Sequence, residues 1–201
     1  MPRVSTTKKS SESSTHRKED FIFFWTTNHV NGWASQWYPA AFTATVVING
    51  EEETHEFPTT EHWMMLQKAL LFSDIEIARK VLGSTSTDKK AMAQVKGLGR
   101  KVKNFNDAVW KKNRERIVLE GTVHKFRQNK ELLEELLGTG DKEIAEASPR
   151  DRIWGIGCGE KNAIERIGKW GTNLLGKALV QARNILREEN QQTAGHNAVK
   201  D

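Results

Sequence analysis

The chain has 201 residues, of which 37% are hydrophobic and 28% charged, and this length and polar composition favour a single folded domain. No apolar run approaches the roughly 20 residues that a helix needs to cross a bilayer, which excludes a helical membrane protein. The formal net charge of +5 suits either plain solubility or attraction to a polyanion such as nucleic acid.

Both ends of the chain are expected to be disordered. Residues 1–19 hold one large apolar side chain beyond the first position, Val4, and residues 190–201 are similarly polar. Such segments cannot bury enough apolar surface to offset the entropy that is lost on ordering. The folded domain is therefore expected over residues 20–189.

The first part of the domain is predicted to form strands. Residues 20–25 (DFIFFW) are dense in aromatic and β-branched side chains, which is typical of a strand. Residues 42–57 hold two extended runs around Asn49-Gly50, a pair that tolerates the positive φ of a hairpin turn. Pro58 ends the second run, and Thr59 or Thr60 can cap the helix that follows.

From this point the pattern is mainly helical. Apolar positions at helical spacing and glycine stops predict helices over residues 74–82, 86–95, 107–127, 129–137 and 174–187. A short strand is predicted over residues 144–147, and the glycine-rich residues 151–159 are predicted to be irregular. The predicted fold class is α+β, a mainly helical single domain with a small antiparallel sheet.

Residues 58–62 (PTTEH) begin a helix and carry the first candidate site. Glu61 falls in the first turn, where the helix dipole and the free amides favour a carboxylate. Lys68 follows seven residues later, close to two helical turns, so both side chains lie on one face of the helix. A capping acid with an exposed lysine is the structural alternative for this pair.

Residues 146–159 (EASPRDRIWGIGCG) carry the second candidate site. Trp154 offers a face on which a base or ribose can stack, and Gly155 and Gly157 allow the backbone to come close to a phosphate. The segment lacks the ending of a Walker loop and the preceding Val/Ile-rich strand of a dinucleotide fingerprint. An ordinary glycine-rich loop around a buried Trp is the structural alternative.

Other chemistries find little support in the sequence. Trp110 suits either the core or a stacking surface. Neither CxxC nor HExxH is present, so no zinc site is expected. The single cysteine, Cys158, has no histidine nearby in sequence and is interpreted as structural. With no secretory signal, it indicates an intracellular protein of the cytoplasm or nucleus.

Together these segments resemble the NADAR (YbiA-like) family, named for its link to NAD and ADP-ribose. The resemblance covers residues 21–187, with the motifs in the family's order. The motifs are residues 57–62 (FPTTEH), Gln67-Lys68, 98–100 (LGR), Trp110, 125–129 (KFRQN), 146–151 (EASPRD), 154–157 (WGIG) and 173–179 (NLLGKAL) with Arg183. The chain departs from the family at residues 33–37 (WASQW), where many members have a Ser-Asn-Phe segment that is expected to touch the ligand.

The resemblance implies a YbiA-like fold, an N-glycosidase, and roles for matching positions. The implied reaction needs neither a metal nor a redox cofactor. The implied catalytic residues are Glu61, Lys68, Glu146 and Asp151. The implied ligand-binding residues are His62, Arg100, Trp110, Trp154, Gly155, Gly157 and Asn173.

Two substrates are associated with the family. One is ADP-ribose attached to guanine, so the expected partners are an ADP-ribose-containing ligand and ADP-ribosylated nucleic acid. The other is a phosphorylated ribosylamino-pyrimidine intermediate of riboflavin synthesis. A non-catalytic ADP-ribose-binding module is a third reading, against which the number of ionisable residues in the motifs argues.

Two mechanisms fit the implied residues. Cleavage of a ribose C1–N bond builds positive charge on the sugar, as in glycoside hydrolysis. In the direct route, Glu61 and Asp151 approach the ribose from opposite sides and share the work of stabilising charge, activating water and supplying a proton. In the covalent route, Lys68 with a lowered pKa attacks C1 and forms a Schiff base. Arg100 and the glycine-rich loop are the expected phosphate ligands.

Overall fold

The computed structural model describes residues 16–197. In chain order they form β1 (Phe21–Phe24), β2 (Phe42–Ile48), β3 (Glu51–Phe57), α1 (Thr60–Leu71), α2 (Ile75–Leu82), α3 (Lys89–Arg100), α4 (Asp107–Gln128), α5 (Lys130–Gly138), β4 (Glu143–Glu146) and α6 (Leu174–Asn197). The predicted fold class, mainly helical α+β, is confirmed. No helix within this range combines the length and the apolarity needed to cross a membrane.

The predicted hairpin is present as β2 and β3, which pair antiparallel from Phe42↔Phe57 to Ile48↔Glu51. Asn49 and Gly50 have φ of 54° and 86°, the positive values that a tight hairpin turn requires. Side chains of β2 alternate between buried and exposed, so one face of the hairpin packs on the core. The hairpin ends at Pro58 and delivers the chain to the start of α1.

A second sheet joins β1 and β4, whose paired residues are 122 positions apart in sequence. The two strands pair in parallel from Phe21↔Glu143 to Phe24↔Glu146, a pairing that the sequence patterns had not indicated. Parallel strands place their carboxyl ends at the same edge of a sheet. Glu146, the last residue of β4, therefore lies at this edge, and the glycine-rich loop continues from it.

Helix α1 is the centre of the domain, and α2, α3 and α4 pack around it. Its residues are buried on most sides because Trp63, Met64, Met65 and Leu66 form a continuous apolar run. The Trp63 indole N–H donates to the carbonyl oxygen of Ile117 at 2.9 Å. This hydrogen bond ties α1 to α4.

Two helices differ from their predicted bounds. Helix α3, predicted over residues 86–95, begins after Asp88, whose carboxylate accepts the amide N–H groups of Lys90 and Ala91, and it continues past Gly97 to Arg100. Helix α6 continues to Asn197, beyond its predicted end at residue 187 and into the segment for which disorder was expected. The predicted tail over residues 1–19 lies mostly outside the described residues.

Candidate active site

Seven of the predicted site residues line one cavity of about 260 Å³. It opens between α1, α3, the start of α4 and the loop that follows β4. The predicted residues in its lining are Glu61, Lys68, Arg100, Trp110, Glu146, Asp151 and Trp154. Residues that sequence reasoning had not assigned complete the lining: Ser35, Gln36, Trp37, Met64, Met65, Lys96, Gly99 and Leu175.

Glu61 is held in the first turn of α1. Thr59 caps this helix by accepting the amide N–H of His62, and the amide N–H of Glu61 donates to the carbonyl oxygen of Gln36 at 3.1 Å. The Glu61 side chain is 2% exposed, and its Oε1 has no hydrogen-bond partner among the described residues. A buried carboxylate oxygen without a protein donor is available to a ligand.

Burial raises the pKa of Glu61, while the charges of Lys96 and Arg100 and a hydrogen bond from Trp37 act in the opposite direction. Lys96 and Arg100 come from α3 and Trp37 comes from the loop before β2, and these segments meet at the cavity. The protonation of Glu61 is therefore set by the tertiary structure of the site rather than by its own helix.

Glu146, the last residue of β4, and Asp151, in the loop that follows, form an acidic pair in the cavity lining. Burial, followed by the negative charge of Asp151, raises the pKa of Glu146 from 4.5 to about 7, and its Oε2 has no partner among the described residues. Oδ1 of Asp151 accepts the backbone N–H groups of Ile153 and Trp154, both at 2.8 Å. Asp151 thereby orders the loop and keeps its other oxygen for a ligand.

Lys68 reaches the cavity two turns along α1 from Glu61. Its Nζ donates to the carbonyl oxygen of Gly99 at 2.7 Å and lies 4.3 Å and 5.5 Å from the ring centres of Phe105 and Trp110. Burial lowers the pKa of Lys68, which favours the neutral, nucleophilic amine. The predicted arrangement of Glu61 and Lys68 in one site is present.

Helix α3 contributes the cations of the cavity. Lys96 and Arg100 are four residues apart and so project from the same face of the helix. This helix lies close to α1 at Gly99, where an added Cβ would come within 1.9 Å of the Met65 sulfur. The close approach brings both basic side chains into the lining.

Four predicted ligand-binding residues lie outside the lining. His62 is buried beneath the start of α1, where its Nδ1 lies 2.9 Å from Thr59 Oγ1 and burial lowers its pKa to about 4. Gly155 and Gly157 pack inside the loop, since a Cβ at these positions would come within 2.7 Å of Glu146 O and 2.6 Å of Arg152 Cγ. For the glycines, close packing of the loop is the observed role.

Asn173, the fourth of these residues, positions the backbone of Glu146 through a hydrogen bond. It has a positive φ of 53°, and its side chain makes two hydrogen bonds to the backbone of β4. Oδ1 accepts the amide N–H of Glu146 at 3.1 Å, and Nδ2 donates to the carbonyl oxygen of Ile144 at 2.9 Å. Asn173 therefore positions a cavity residue instead of lining the cavity.

A second depression, of about 590 Å³, contains none of the predicted site residues. It is lined by Ile22, Asn31, Trp33, Glu131, Glu134, Glu135, Gly138 and Thr139. Its acids lie on the exposed part of α5, whereas in the smaller cavity Glu61 is buried and Glu146 and Asp151 are partly buried. Within residues 16–197, no group of three or more His, Cys, Asp or Glu side chains could hold a metal ion.

Residues 23–187 match the NADAR domain. The chain belongs to the NADAR family. It is 45% identical to an N-glycosidase of Acanthamoeba polyphaga mimivirus over 160 residues, which cover 79% of this chain and 87% of that protein. It is 29% identical to a riboflavin biosynthesis protein of Vibrio vulnificus over 182 residues, which cover 90% of this chain and 42% of that protein.

The NMR structure of the E. coli protein YbiA has the same fold. It superimposes with a TM-score of 0.64 at 22% identity and covers 90% of this chain and 92% of that chain. The predicted NADAR family and YbiA-like fold are both confirmed.

Residues 35–37, which lie in the segment where this NADAR domain departs from the family pattern, form one side of the cavity. Lys125, which is 1% exposed, supports this segment through hydrogen bonds to its backbone. Its Nζ donates to the carbonyl oxygens of Trp33 and Ser35 at 2.7 Å and 3.1 Å. Burial lowers the pKa of Lys125 to about 7. Lys125 belongs to the KFRQN motif, so the sequence marked it without revealing this role.

Replacement of Lys125 by Met is expected to raise KM about tenfold with a smaller change in kcat. Met fills the same space but cannot donate to the two carbonyls, so residues 35–37 lose their support; two lost bonds also cost about 1–3 kcal/mol of stability. Steady-state kinetics and thermal unfolding of the Lys125→Met and Lys130→Met variants test this, because Lys130 is exposed. A lower melting temperature with unchanged KM would mean that Lys125 serves stability alone.

Proposed function

We propose that this protein is an N-glycosidase that cleaves a ribose C1–N bond and removes ADP-ribose from guanine, in nucleic acid or in nucleotides. The observation that carries the proposal is the presence of three carboxylates, Glu61, Glu146 and Asp151, in one cavity. The coarser part, hydrolysis of an N-glycosyl bond, is supported by family membership and by the 45% identity to an N-glycosidase.

Glu146 is suited to be the general acid. With a pKa of about 7 a large fraction of it is protonated at neutral pH, and this form can give its proton to the base nitrogen as the C1–N bond breaks. This pattern, in which neighbouring carboxyl groups are driven to different protonation states, recurs in enzymes that pair an acid with a charged carboxylate.

Glu61 and Asp151 are suited to stabilise the positive charge on the ribose. Each has one oxygen without a bond to the described residues, and both line the cavity that holds Glu146. A carboxylate fixed in advance near C1 stabilises the developing oxocarbenium ion without reorganising during the reaction. The buried, unpaired oxygen of Glu61 costs stability, and a pure binding module has no reason to retain it.

The indole rings account for the base and nucleoside parts of the ligand. Trp37, Trp110 and Trp154 line the cavity from three different elements. Planar heterocycles stack on such faces, and indoles contribute large contact areas. A ligand with two bases joined through ribose and phosphate, such as ADP-ribosyl guanine, would use more than one of these rings.

Lys68 supplies the nucleophile in the covalent route, which its lowered pKa favours. The amine bonds to ribose C1 as the bond to the base breaks, and the base nitrogen takes the proton of Glu146. The amine then loses a proton, the ring oxygen gains one as the ring opens, and water hydrolyses the resulting protonated imine.

Borohydride added during turnover is expected to trap an adduct on Lys68. Reduction converts the imine to a stable secondary amine, and peptide mass spectrometry locates the added sugar. The Lys68→Arg variant should give no adduct, since Arg forms no such imine under these conditions. Turnover without any adduct on Lys68 would leave direct attack by water as the route.

A riboflavin-pathway intermediate is the second candidate substrate. It is favoured by the name of the Vibrio vulnificus relative, a riboflavin biosynthesis protein. That ligand also contains a ribose C1–N bond, so the same carboxylates would act on it.

The deciding experiment incubates the purified protein with DNA that carries ADP-ribose on guanine. We expect mass spectrometry to find free ADP-ribose and restored guanine. An unchanged substrate would contradict the proposal for guanine, and the phosphorylated ribosylamino-pyrimidines would then be assayed with the same preparation. Binding of ADP-ribose without turnover of either substrate would favour the module instead.

A further inference from the structure

Three basic side chains, two in the cavity lining and one beside it, form no ion pair with the described residues. Lys96, Arg100 and Arg114 make no ion pair within 4 Å with any described residue, whereas Arg79, Lys80, Lys103, Lys111, Arg116, Arg127 and Arg187 each do. Cations that lie near a cavity and form no ion pair are available to bind an anionic ligand.

These cations project from two helices. Lys96 and Arg100 project from one face of α3 and line the cavity. Arg114 is one turn after Trp110 on α4, so both lie on the same face of that helix. Its guanidinium carbon lies 5.9 Å from the ring centre of Trp154, which is also part of the lining.

Arg114 has a buried hydrogen-bond donor without a partner among the described residues. Its side chain is half-buried, and its Nε has no hydrogen-bond partner among the described residues. Leaving a buried donor unpaired costs free energy unless a ligand accepts from it. Guanidinium groups bind two phosphate oxygens at once, and a lysine adds a compact charge.

The acids and the unpaired cations of the site come from different elements. The acids come from the start of α1, from β4 and from the following loop, while the unpaired cations come from α3 and α4. A ligand with a sugar next to phosphate groups matches this division, with ribose at the acids and phosphate at the cations. The glycine-rich loop, expected to bind phosphate, contributes neither Gly155 nor Gly157 to the lining.

We propose that Lys96, Arg100 and Arg114 form the binding site for the diphosphate of the substrate. This inference rests on the proposed function, because it assumes that the ribose lies at the carboxylates. Two phosphate groups rather than one are inferred since the cations are spread over two helices.

Calorimetric titration with inorganic pyrophosphate tests the site without any turnover. The unmodified protein should bind pyrophosphate, and Lys96→Gln, Arg100→Gln and Arg114→Gln should each weaken binding about tenfold, as expected for the loss of one charged hydrogen bond. Lys90→Gln is the matched control, because it removes the same charge from an exposed position on α3. Orthophosphate should bind more weakly than pyrophosphate.

Two results would overturn the inference. One is the absence of pyrophosphate binding by the unmodified protein, or equal affinity in the three variants and in Lys90→Gln. The other is equal affinity for orthophosphate and pyrophosphate, which would contradict the proposal that the site binds two phosphate groups. A site confirmed by titration in a protein that leaves ADP-ribosyl guanine intact would contradict the proposed function alone.

Discussion

Replacement of Glu61 by Gln is expected to lower kcat about 1000-fold. Gln keeps the shape of the side chain but removes the negative charge that would stabilise the ribosyl cation. Glu61 is 2% exposed, and burial raises its pKa, so the neutral Gln should not reduce the stability of the fold. The measurement is single-turnover kinetics on the substrate that the unmodified protein cleaves, together with thermal unfolding of both proteins.

Glu56→Gln provides the matched control for this loss. Glu56 lies on β3 with an exposed side chain and is not among the residues that line the cavity. The control should retain the unmodified kcat. If Glu61→Gln also stayed within threefold of the unmodified kcat, Glu61 would have no part in the chemical step.

Replacement of Glu146 by Gln is expected to have opposite effects on activity and stability. Loss of the general acid should lower kcat about 100-fold. Stability should rise, because the pKa of Glu146 is about 7 in the folded protein against its usual 4.5. The unfolded chain releases this proton at lower pH than the folded protein does, so the folded state loses stability as pH rises from about 4.5 to 7.

A Gln at this position does not titrate, so the variant avoids the loss. Its free energy of unfolding should exceed that of the unmodified protein by about 3 kcal/mol at pH 8 and by about 1 kcal/mol at pH 5. Urea denaturation at these two pH values measures the difference. An equal gain at both pH values, or none, would show that Glu146 does not carry the raised pKa.

The pH dependence of the unmodified enzyme provides a separate check on the acid. If Glu146 donates the proton, kcat should fall as pH rises above about 7, the pKa of this side chain. Glu146→Gln should lose this descending limb. A descending limb that persists in the variant would assign the acid to another residue.

Local chemistry explains what could be predicted from the sequence. The Asn49-Gly50 turn, the Thr59 cap and the glycine stops depend on the φ preferences and hydrogen bonds of neighbouring residues, which a sequence displays directly. Glu61 and Lys68 share a face because helical spacing is fixed once the helix is recognised. The family motifs added Glu146, Asp151, Trp110 and Trp154 to the candidate site, and all four line the cavity.

Tertiary structure decided the features that depend on distant contacts. The parallel pairing of β1 with β4 and the support of residues 35–37 by Lys125 each join segments far apart in sequence. No local pattern predicts which strands pair, or which charge remains without a partner once the helices pack. Glu146 shows the difference most clearly: its motif marked it as a candidate, but only burial beside Asp151 raises its pKa to about 7.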